Sequence, residues 1–445
     1  MKIKNWKLRV NGSNEHITAK TEIPASVPGD ITWDMYLAGI IDNPYYALNH
    51  KKIGWITELD YTYSTKFDAS EVIGSDEAML SFHSVDLFSE IYLNGILLGK
   101  TENAFLRYDF DVKKHLKPKD NLLEVKMFST VEAMKKINCE GYFGVFNVPR
   151  LFLRKAQCHF GWDWAPALCG YGICGDVELN GESKYRIKDV RVRTFDSGYV
   201  NILTELNYNV RSMVDSMGVV IDNTAAIKDE DRLIFSVEKA PGSGEYASIE
   251  IDVTGKKNFA NLQIKNRKLW WPKGYGEQPL YGYKAELIRG GKVVSTKTGY
   301  FAFREVSLLE EPKSGTTFGY ELAVNGKKIF VKGSNWVPAE CFSGIMTDEK
   351  CKKLIDLADN ANINMLRVWG AGFYAESDDC IHFEISENPK VYSRNLEWED
   401  GRKTTQCNLE RPSLLFDENG KPIYLFCASG NGDGPYAFKG ATYVV

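Results

Sequence analysis

Glu90-Ile-Tyr-Leu-Asn-Gly-Ile-Leu-Leu-Gly99 decides how the first part of the chain folds. Two apolar-rich runs flank Asn94-Gly95, the dipeptide that a two-residue hairpin favours because both central residues must take positive φ. The same alternation continues on either side, in Ala78-Met-Leu-Ser-Phe-His83 and in Asn121-Leu-Leu-Glu-Val-Lys-Met-Phe128. Short runs of period two separated by turn residues predict an all-β sandwich over residues 1–182, a jelly roll or a similar two-sheet domain. A second β series occupies 183–303, with Asp189-Val-Arg-Val-Arg193, Met217-Gly-Val-Val-Ile-Asp222 and Ala285-Glu-Leu-Ile-Arg289 as its clearest strands. Its size is that of an immunoglobulin-like sandwich, without the Cys, Trp, Cys spacing of an antibody domain.

Past residue 304 the texture changes. Lys328-Ile-Phe-Val-Lys-Gly333 reads as a strand, and Asp348 to Ala361 as an amphipathic helix with Cys351, Leu354, Ile355 and Ala358 on one face. Asn364 to Trp369 reads as a second apolar strand. Strand, helix and strand on this scale make a βαβ unit, which implies parallel strands. The expectation for 304–376 is the start of a TIM barrel. A complete (β/α)8 barrel needs about 250 residues, and fewer than half that number follow residue 330, so the barrel is expected to be incomplete. Residues 377–445 read instead as a divergent β-rich tail, in which Ser413-Leu-Leu-Phe-Asp417 and Pro422-Ile-Tyr-Leu-Phe-Cys427 are joined by a hairpin turn at Glu418-Asn-Gly-Lys421.

Composition narrows the function. The 55 basic and 59 acidic residues are interspersed, and no basic stripe exists to neutralise a phosphate backbone, so nucleic acid is not an expected partner. No run of about 18 apolar residues appears, and the first residues are charged where a signal peptide needs an apolar core, which predicts a cytoplasmic protein with no membrane partner. The nine cysteines are odd in number and form no CxxC pair, which fits buried reduced thiols rather than a disulfide framework. The six His show no metal-ligand spacing, so neither a metal nor a cofactor is expected.

Three clusters carry chemistry. Ala156-Gln-Cys-His-Phe-Gly-Trp-Asp-Trp-Ala-Pro166 places Trp162 and Trp164 around Asp163: two stacking surfaces and a carboxylate able to accept from paired sugar hydroxyls, or else an aromatic core plug with a capping Asp. Val331-Lys-Gly-Ser-Asn-Trp-Val-Pro338 and Asn364-Met-Leu-Arg-Val-Trp-Gly-Ala-Gly372 put Asn335, Trp336, Arg367 and Trp369 at the C-terminal ends of the two parallel strands, the face where barrel enzymes gather their sites. The alternative for Arg367 is a structural ion pair inside a barrel mouth.

With these clusters, the ordered series Val27-Pro-Gly29, Trp33-Asp34, Trp55-Ile, Leu93-Asn-Gly95, Cys158-His-Phe-Gly-Trp-Asp-Trp164, Trp270-Trp-Pro-Lys-Gly-Tyr-Gly276, Phe330-Val-Lys-Gly-Ser-Asn-Trp336 and Asn364-Met-Leu-Arg-Val-Trp-Gly370 resembles the β-mannosidases of glycoside hydrolase family 2 over residues 5 to 376. The resemblance implies a sugar-binding jelly roll, an immunoglobulin-like sandwich and a TIM barrel that removes terminal β-mannosyl units with retention. It also implies substrate-binding roles for Trp162, Asp163, Trp164, Asn335, Trp336, Arg367 and Trp369, with β-mannoside oligosaccharides as partners.

Retaining hydrolysis needs two carboxyl groups about 5 Å apart, an acid/base and a nucleophile. In this family the acid/base Glu follows an Asn, and the only Asn-Glu pair is Asn14-Glu15, in the first domain. No catalytic residue is identifiable: Glu376, Glu384, Glu387, Glu397, Glu399, Glu410 and Glu418 all sit in sequence unlike a barrel strand end. The expectation is a β-mannosidase by family, or alternatively a catalytically dead remnant that binds mannosides weakly. The tail from Tyr392 is similar to the last blade of β-propeller glycoside hydrolases, which suggests that the start of one hydrolase has been joined to the end of another.

Overall fold

A computed structural model describes residues 1–140, 142, 148–162, 164–195, 197–207, 213–214, 220–221, 230–312, 318–368, 395–397, 401–405, 408–416, 422–430 and 442–444. The first of its β units contains nine strands: β1 (Trp6–Val10), β2 (Glu22–Ala25), β3 (Tyr61–Phe67), β4 (Glu77–Phe82), β5 (Ser89–Leu93), β6 (Ile96–Thr101), β7 (Tyr108–Asp111), β8 (Asn121–Met127) and β9 (Val177–Glu182). They form a six-stranded sheet, β2-β1-β3-β8-β5-β6, and a three-stranded sheet, β7-β4-β9. All the pairings are antiparallel. Every second residue of β1 and β8 is buried, and Leu8, Tyr63, Leu80, Ile91, Val125 and Leu179 meet in one core. The β5–β6 hairpin turns at Asn94 (φ 52°) and Gly95 (φ 81°), the two positive values expected from the dipeptide. Asn94 Nδ2 also donates to the Asn121 side chain at 3.0 Å, and Asn94 Oδ1 accepts from the Leu122 amide, which ties the turn to β8.

Helix α1 (Ile31–Leu37) leaves the edge of this sandwich, its first turn capped by the buried Asp30 carboxylate, which accepts from the Thr32 and Trp33 amides. Within it, Asp34 Oδ1 accepts from the Ser26 amide at 3.0 Å. Burial pushes the Asp34 carboxyl up to about 7, against the pull of that hydrogen bond. The folded chain therefore holds a proton that the unfolded chain releases near pH 4, and the associated stability is lost as pH rises toward 7. Asp34→Asn keeps the Ser26 acceptor and removes the charge. It is expected to raise the melting temperature at pH 8, by an amount corresponding to on the order of 3 kcal/mol at most, and to leave it unchanged at pH 4. A melting curve at each pH checks this; equal effects at both would exclude a raised Asp34.

The second β unit pairs strands Arg186–Thr194, Tyr199–Asn207 and Lys257–Gln263 in one sheet and Tyr246–Asp252, Arg232–Glu238, Tyr281–Arg289 and Lys292–Phe301 in the other. Ile202, Leu206, Phe235, Val237, Tyr281 and Phe303 form a core separate from the first. Of the strand expected at Met217–Asp222, only Val220–Ile221 falls within the described residues.

Beyond residue 304 the chain forms an antiparallel pair, Val306–Pro312 with Phe318–Val324, and then one parallel pair, Gly333–Trp336 with Met365–Val368. Helix α2 (Thr130–Met134) belongs to the first unit, and α3 (Asp348–Asn360) connects the two parallel strands. This is the expected βαβ order with one correction. The strand expected at 328–333 is interrupted: Lys327–Lys328 pairs antiparallel with Phe318–Val324, the parallel strand begins at Gly333, and between them side chains occupy the backbone, Tyr275 Oη accepting from the Phe330 amide and the Asn364 side-chain amide bonding Phe330 O and Lys332 N. The α3 stripe is also less covered than its pattern predicts. Cys351, Leu354 and Ala358 are half-buried while Ile355 is 46% exposed, and no α3 residue is fully buried. In the tail, Asn408–Phe416 and Pro422–Gly430 pair antiparallel as expected, and the turn between them lies outside the described residues.

Cys139, Cys158, Cys169, Cys174, Cys341 and Cys351 are free thiols, half-buried rather than buried.

Candidate functional site

The loop that follows residue 155 is held from below by buried charge. Lys155 Nζ lies 3.0 Å from Asp86 Oδ1 and donates to Gly170 O at 2.5 Å, with the side chains 0% and 3% exposed. Asp86 is itself fixed by a two-way backbone pairing with Gly172. His159 Nδ1 lies 3.4 Å from the other Asp86 oxygen, and its ring is buried. Burial alone would raise the Asp86 carboxyl, but the Lys155 charge, with the His159 side chain beside it, outweighs it and holds it below the ordinary carboxylate range. Burial, followed by the Lys155 charge, pushes His159 below its usual value, so the imidazole is neutral near pH 7.

From this base the chain turns at Gly161, whose φ of 93° favours glycine, and closes a tight turn in which the Trp162 amide donates to Ala165 O at 2.9 Å. Trp162 is half-buried beneath the Arg150 guanidinium, which stands 4.5 Å from the ring centroid. The same guanidinium donates to Gln157 O and Gly161 O, bracing the loop. Trp164 is half-buried at the tip, and its buried indole N–H meets no acceptor among the described residues. Asp163 lies outside the described residues, as does Trp369.

On the parallel pair, Asn335 and Arg367 are direct cross-strand partners, and Arg367 Nη1 donates to Asn335 Oδ1 at 3.2 Å. Both are exposed, while Trp336 on the next step is half-buried. Among the described residues the hydrogen-bond partner of the Arg367 guanidinium is thus a neutral amide.

The two groups are joined by the segment after Trp336. Phe342 is fully buried against Trp33 and Tyr45 of the first unit, with ring centroids at 6.2 and 5.5 Å. Tyr45 Oη donates to Glu340 Oε2 at 2.8 Å, and Ser343 Oγ lies 3.1 Å from His159 Nε2. Glycines make the close approach possible: a Cβ on Gly344 would stand 1.8 Å from Gly29 O, and one on Gly170 would stand 2.8 Å from the Phe342 ring. On the other side, Lys273 in the Trp-Trp-Pro segment pairs with Asp359 of α3 at 2.6 Å.

Motif reading missed Asp86, Lys155 and Ser343, because each acts through a partner remote in sequence, and Arg150, because it lies outside the motif that it braces. His159 stands inside the Cys158–Trp164 motif, but nothing in that stretch points to Asp86 or Ser343. The available signal was glycine: Gly29, Gly170 and Gly344 each stand in a motif or a short Gly segment, yet none sits in a hairpin.

As for the carboxylates, Asn14-Glu15 forms a turn between β1 and β2 in which Asn14 Oδ1 accepts from the His16 and Ile17 amides, with the Glu15 side chain 85% exposed. Glu397 and Glu410 fall on described tail strands, and Glu376, Glu384, Glu387, Glu399 and Glu418 lie outside the described residues.

Two β units are thus followed by a βαβ step and joined to it through aromatic and polar contacts. Compared with known families, residues 6–175 match the glycosyl hydrolase 2 galactose-binding domain-like family and residues 186–304 match glycosyl hydrolases family 2. The first two domains of the chain are therefore those of glycosyl hydrolase family 2. Its relatives include the β-mannosidase of Mus musculus, 30% identical over 383 residues that cover 80% of this chain and 41% of that protein. A probable β-mannosidase of Caenorhabditis elegans is 30% identical over 87% of this chain and 43% of its own length. Among solved structures, the β-D-mannosidase from Dictyoglomus thermophilum superposes with a TM-score of 0.71 at 30% identity, over 85% of this chain and 45% of that one. The exo-chitosanase of Amycolatopsis orientalis, 15% identical with a TM-score of 0.56, shares the fold. The chain spans less than half the length of the relatives it matches.

Proposed function

We propose that this chain is the mannoside-recognising part of a β-mannosidase-type glycoside hydrolase, acting on terminal non-reducing β-D-mannose. The observation that carries this reading is the pinning of the Trp162–Trp164 turn to the segment that follows Asn335 and Trp336, through the His159–Ser343 contact. An indole stacks on the apolar face of a pyranose, while Arg367 and Asn335 supply donors and an acceptor for its hydroxyls. Asp163 and Trp369 belong to the same proposed site by their place in the matching motifs. The βαβ step is read as the first unit of a (β/α)8 barrel, with domain limits near residues 182, 303 and 376. The similarity to β-mannosidases of mouse and Dictyoglomus thermophilum supports both readings.

The second reading, binding without cleavage, starts from the Asn14-Glu15 pair, which is an exposed turn of the first unit and not a strand end. Titration of tryptophan fluorescence with methyl β-mannoside, alongside methyl β-glucoside, tests recognition. Trp164→Ala is expected to weaken β-mannoside binding at least about tenfold through lost stacking, and Arg367→Ala by a similar factor through lost charged hydrogen bonds. Equal affinity for the two sugars, or no effect of either variant, would overturn the assignment.

A further inference from the structure

The His159 ring is placed to do more than fill the base of the loop. One nitrogen stands 3.4 Å from the Asp86 carboxylate and the other is hydrogen-bonded to Ser343 at 3.1 Å, and these residues belong to segments far apart in the chain. We propose that His159 is a positioning residue that couples the Trp162–Trp164 turn to the strand-end segment carrying Phe342 and Ser343, so that the two walls of the proposed mannoside site move as one piece. The inference rests on the proposed function for its purpose, but the coupling stands on geometry alone.

The chemistry fixes the roles of the two nitrogens. The charged groups around the ring are Asp86, from the segment between β4 and β5, and Lys155 from the ring's own segment. Asp30, at the start of α1, acts on both of these. Ser343 is the hydrogen-bonding group supplied from the strand-end side, and it is neutral. Asp86 as a carboxylate accepts only, so the neutral imidazole carries its proton on Nδ1 and offers Nε2 as acceptor to the Ser343 hydroxyl. Lys155 completes the arrangement by holding Asp86 ionised and by gripping Gly170 O. Gly170 in turn lies beneath Phe342. The loop and the strand-end segment therefore share a polar pin and an aromatic plug rooted in the same few residues.

Amide hydrogen exchange on the full chain tests the coupling. In Ser343→Ala, peptides covering 338–347 and, remote in sequence, 156–168 are both expected to exchange about fivefold faster, the factor one net hydrogen bond supplies. Ser343→Thr, which keeps the hydroxyl, is expected to restore both. Faster exchange confined to 338–347 would overturn the proposal. Nitrogen-15 spectra of histidine-labelled chain should show His159 as the Nδ1–H tautomer from pH 6 to 8, and the Nε2–H tautomer would equally overturn it. Methyl β-mannoside titration separates this inference from the functional reading. If the native chain binds, Ser343→Ala should weaken binding about fivefold, the same hydrogen-bond factor, and unchanged affinity would refute the positioning role. If the native chain does not bind, the functional reading fails, and the exchange result still decides the coupling.

Discussion

Purified chain incubated with a nitrophenyl β-mannoside is expected to release no nitrophenol above the blank, even at concentrations that saturate binding. Retaining hydrolysis requires a protonated carboxyl at the leaving oxygen and a carboxylate about 5 Å away at the anomeric carbon. Together with electrostatic stabilisation, such groups account for rate enhancements of at least about a millionfold. The proposed sugar surface has Arg367 and Asn335 side by side, but the one Asn-Glu sequence, Asn14-Glu15, is a solvated turn of the first domain. Stacking and hydrogen bonds that hold substrate and transition state alike lower a dissociation constant without raising a rate. Late-carboxylate variants make the expectation sharp: Glu376→Gln, Glu384→Gln, Glu387→Gln, Glu397→Gln, Glu399→Gln, Glu410→Gln and Glu418→Gln should each behave as the native chain. Turnover by the native chain that is lost in one of these would mean that the tail supplies a carboxylate, and the binding-only reading would fail.

The largest expected effect on stability is that of Asp86→Ala. Lys155 is fully buried, and Asp86 is the carboxylate that neutralises it at 3.0 Å. Removing one member of such a pair leaves an uncompensated ammonium in a medium that solvates it poorly, at a cost of about 3–5 kcal/mol. For a domain of this size that corresponds to a fall in melting temperature of roughly 6–20 °C. Asp86→Ala combined with Lys155→Met should recover most of the loss, because burying two apolar groups of similar volume avoids the desolvation problem. Failure of the second substitution to recover stability would show that the Asp86 carboxylate acts mainly through its contact with His159 and not by neutralising Lys155. The pH dependence has a definite sign. The Asp86 carboxyl is lowered in the fold, so its contribution is complete above about pH 4, the unfolded value, and is lost as the pH falls through the lower folded value. Asp34 acts in the opposite direction at higher pH, its raised carboxyl favouring the fold as the pH drops from about 7 toward 4. Stability of the first domain is therefore expected to be greatest in mildly acid solution, which thermal melts from pH 3 to 8 would reveal.

Much of the architecture was legible from local rules. Asn94-Gly95 named its own hairpin, because a two-residue turn selects residues that tolerate positive φ. The alternation in β1 and β8 named the buried face, because successive strand side chains point to opposite sides of the sheet. The order of apolar runs and helical spacing named the βαβ step between Gly333 and Val368. The error at 328–333 has the same origin as the successes. An apolar run reads as a strand until something competes for its backbone, and the competitors here, Tyr275 and Asn364, act from another domain and from the next strand.

By itself the sequence determined the fold of the first two domains, the family resemblance and the aromatic and polar residues offered to a sugar, since each of these is written in a contiguous stretch. Only the tertiary structure decided how those stretches are held together. Lys155, Asp86, His159 and Ser343 carry no shared motif, and their partnership arises because the interior excludes water and each buried charge or donor must find its complement nearby. The same holds for Gly29, Gly170 and Gly344, whose missing side chains acquire meaning where one backbone or ring presses against another.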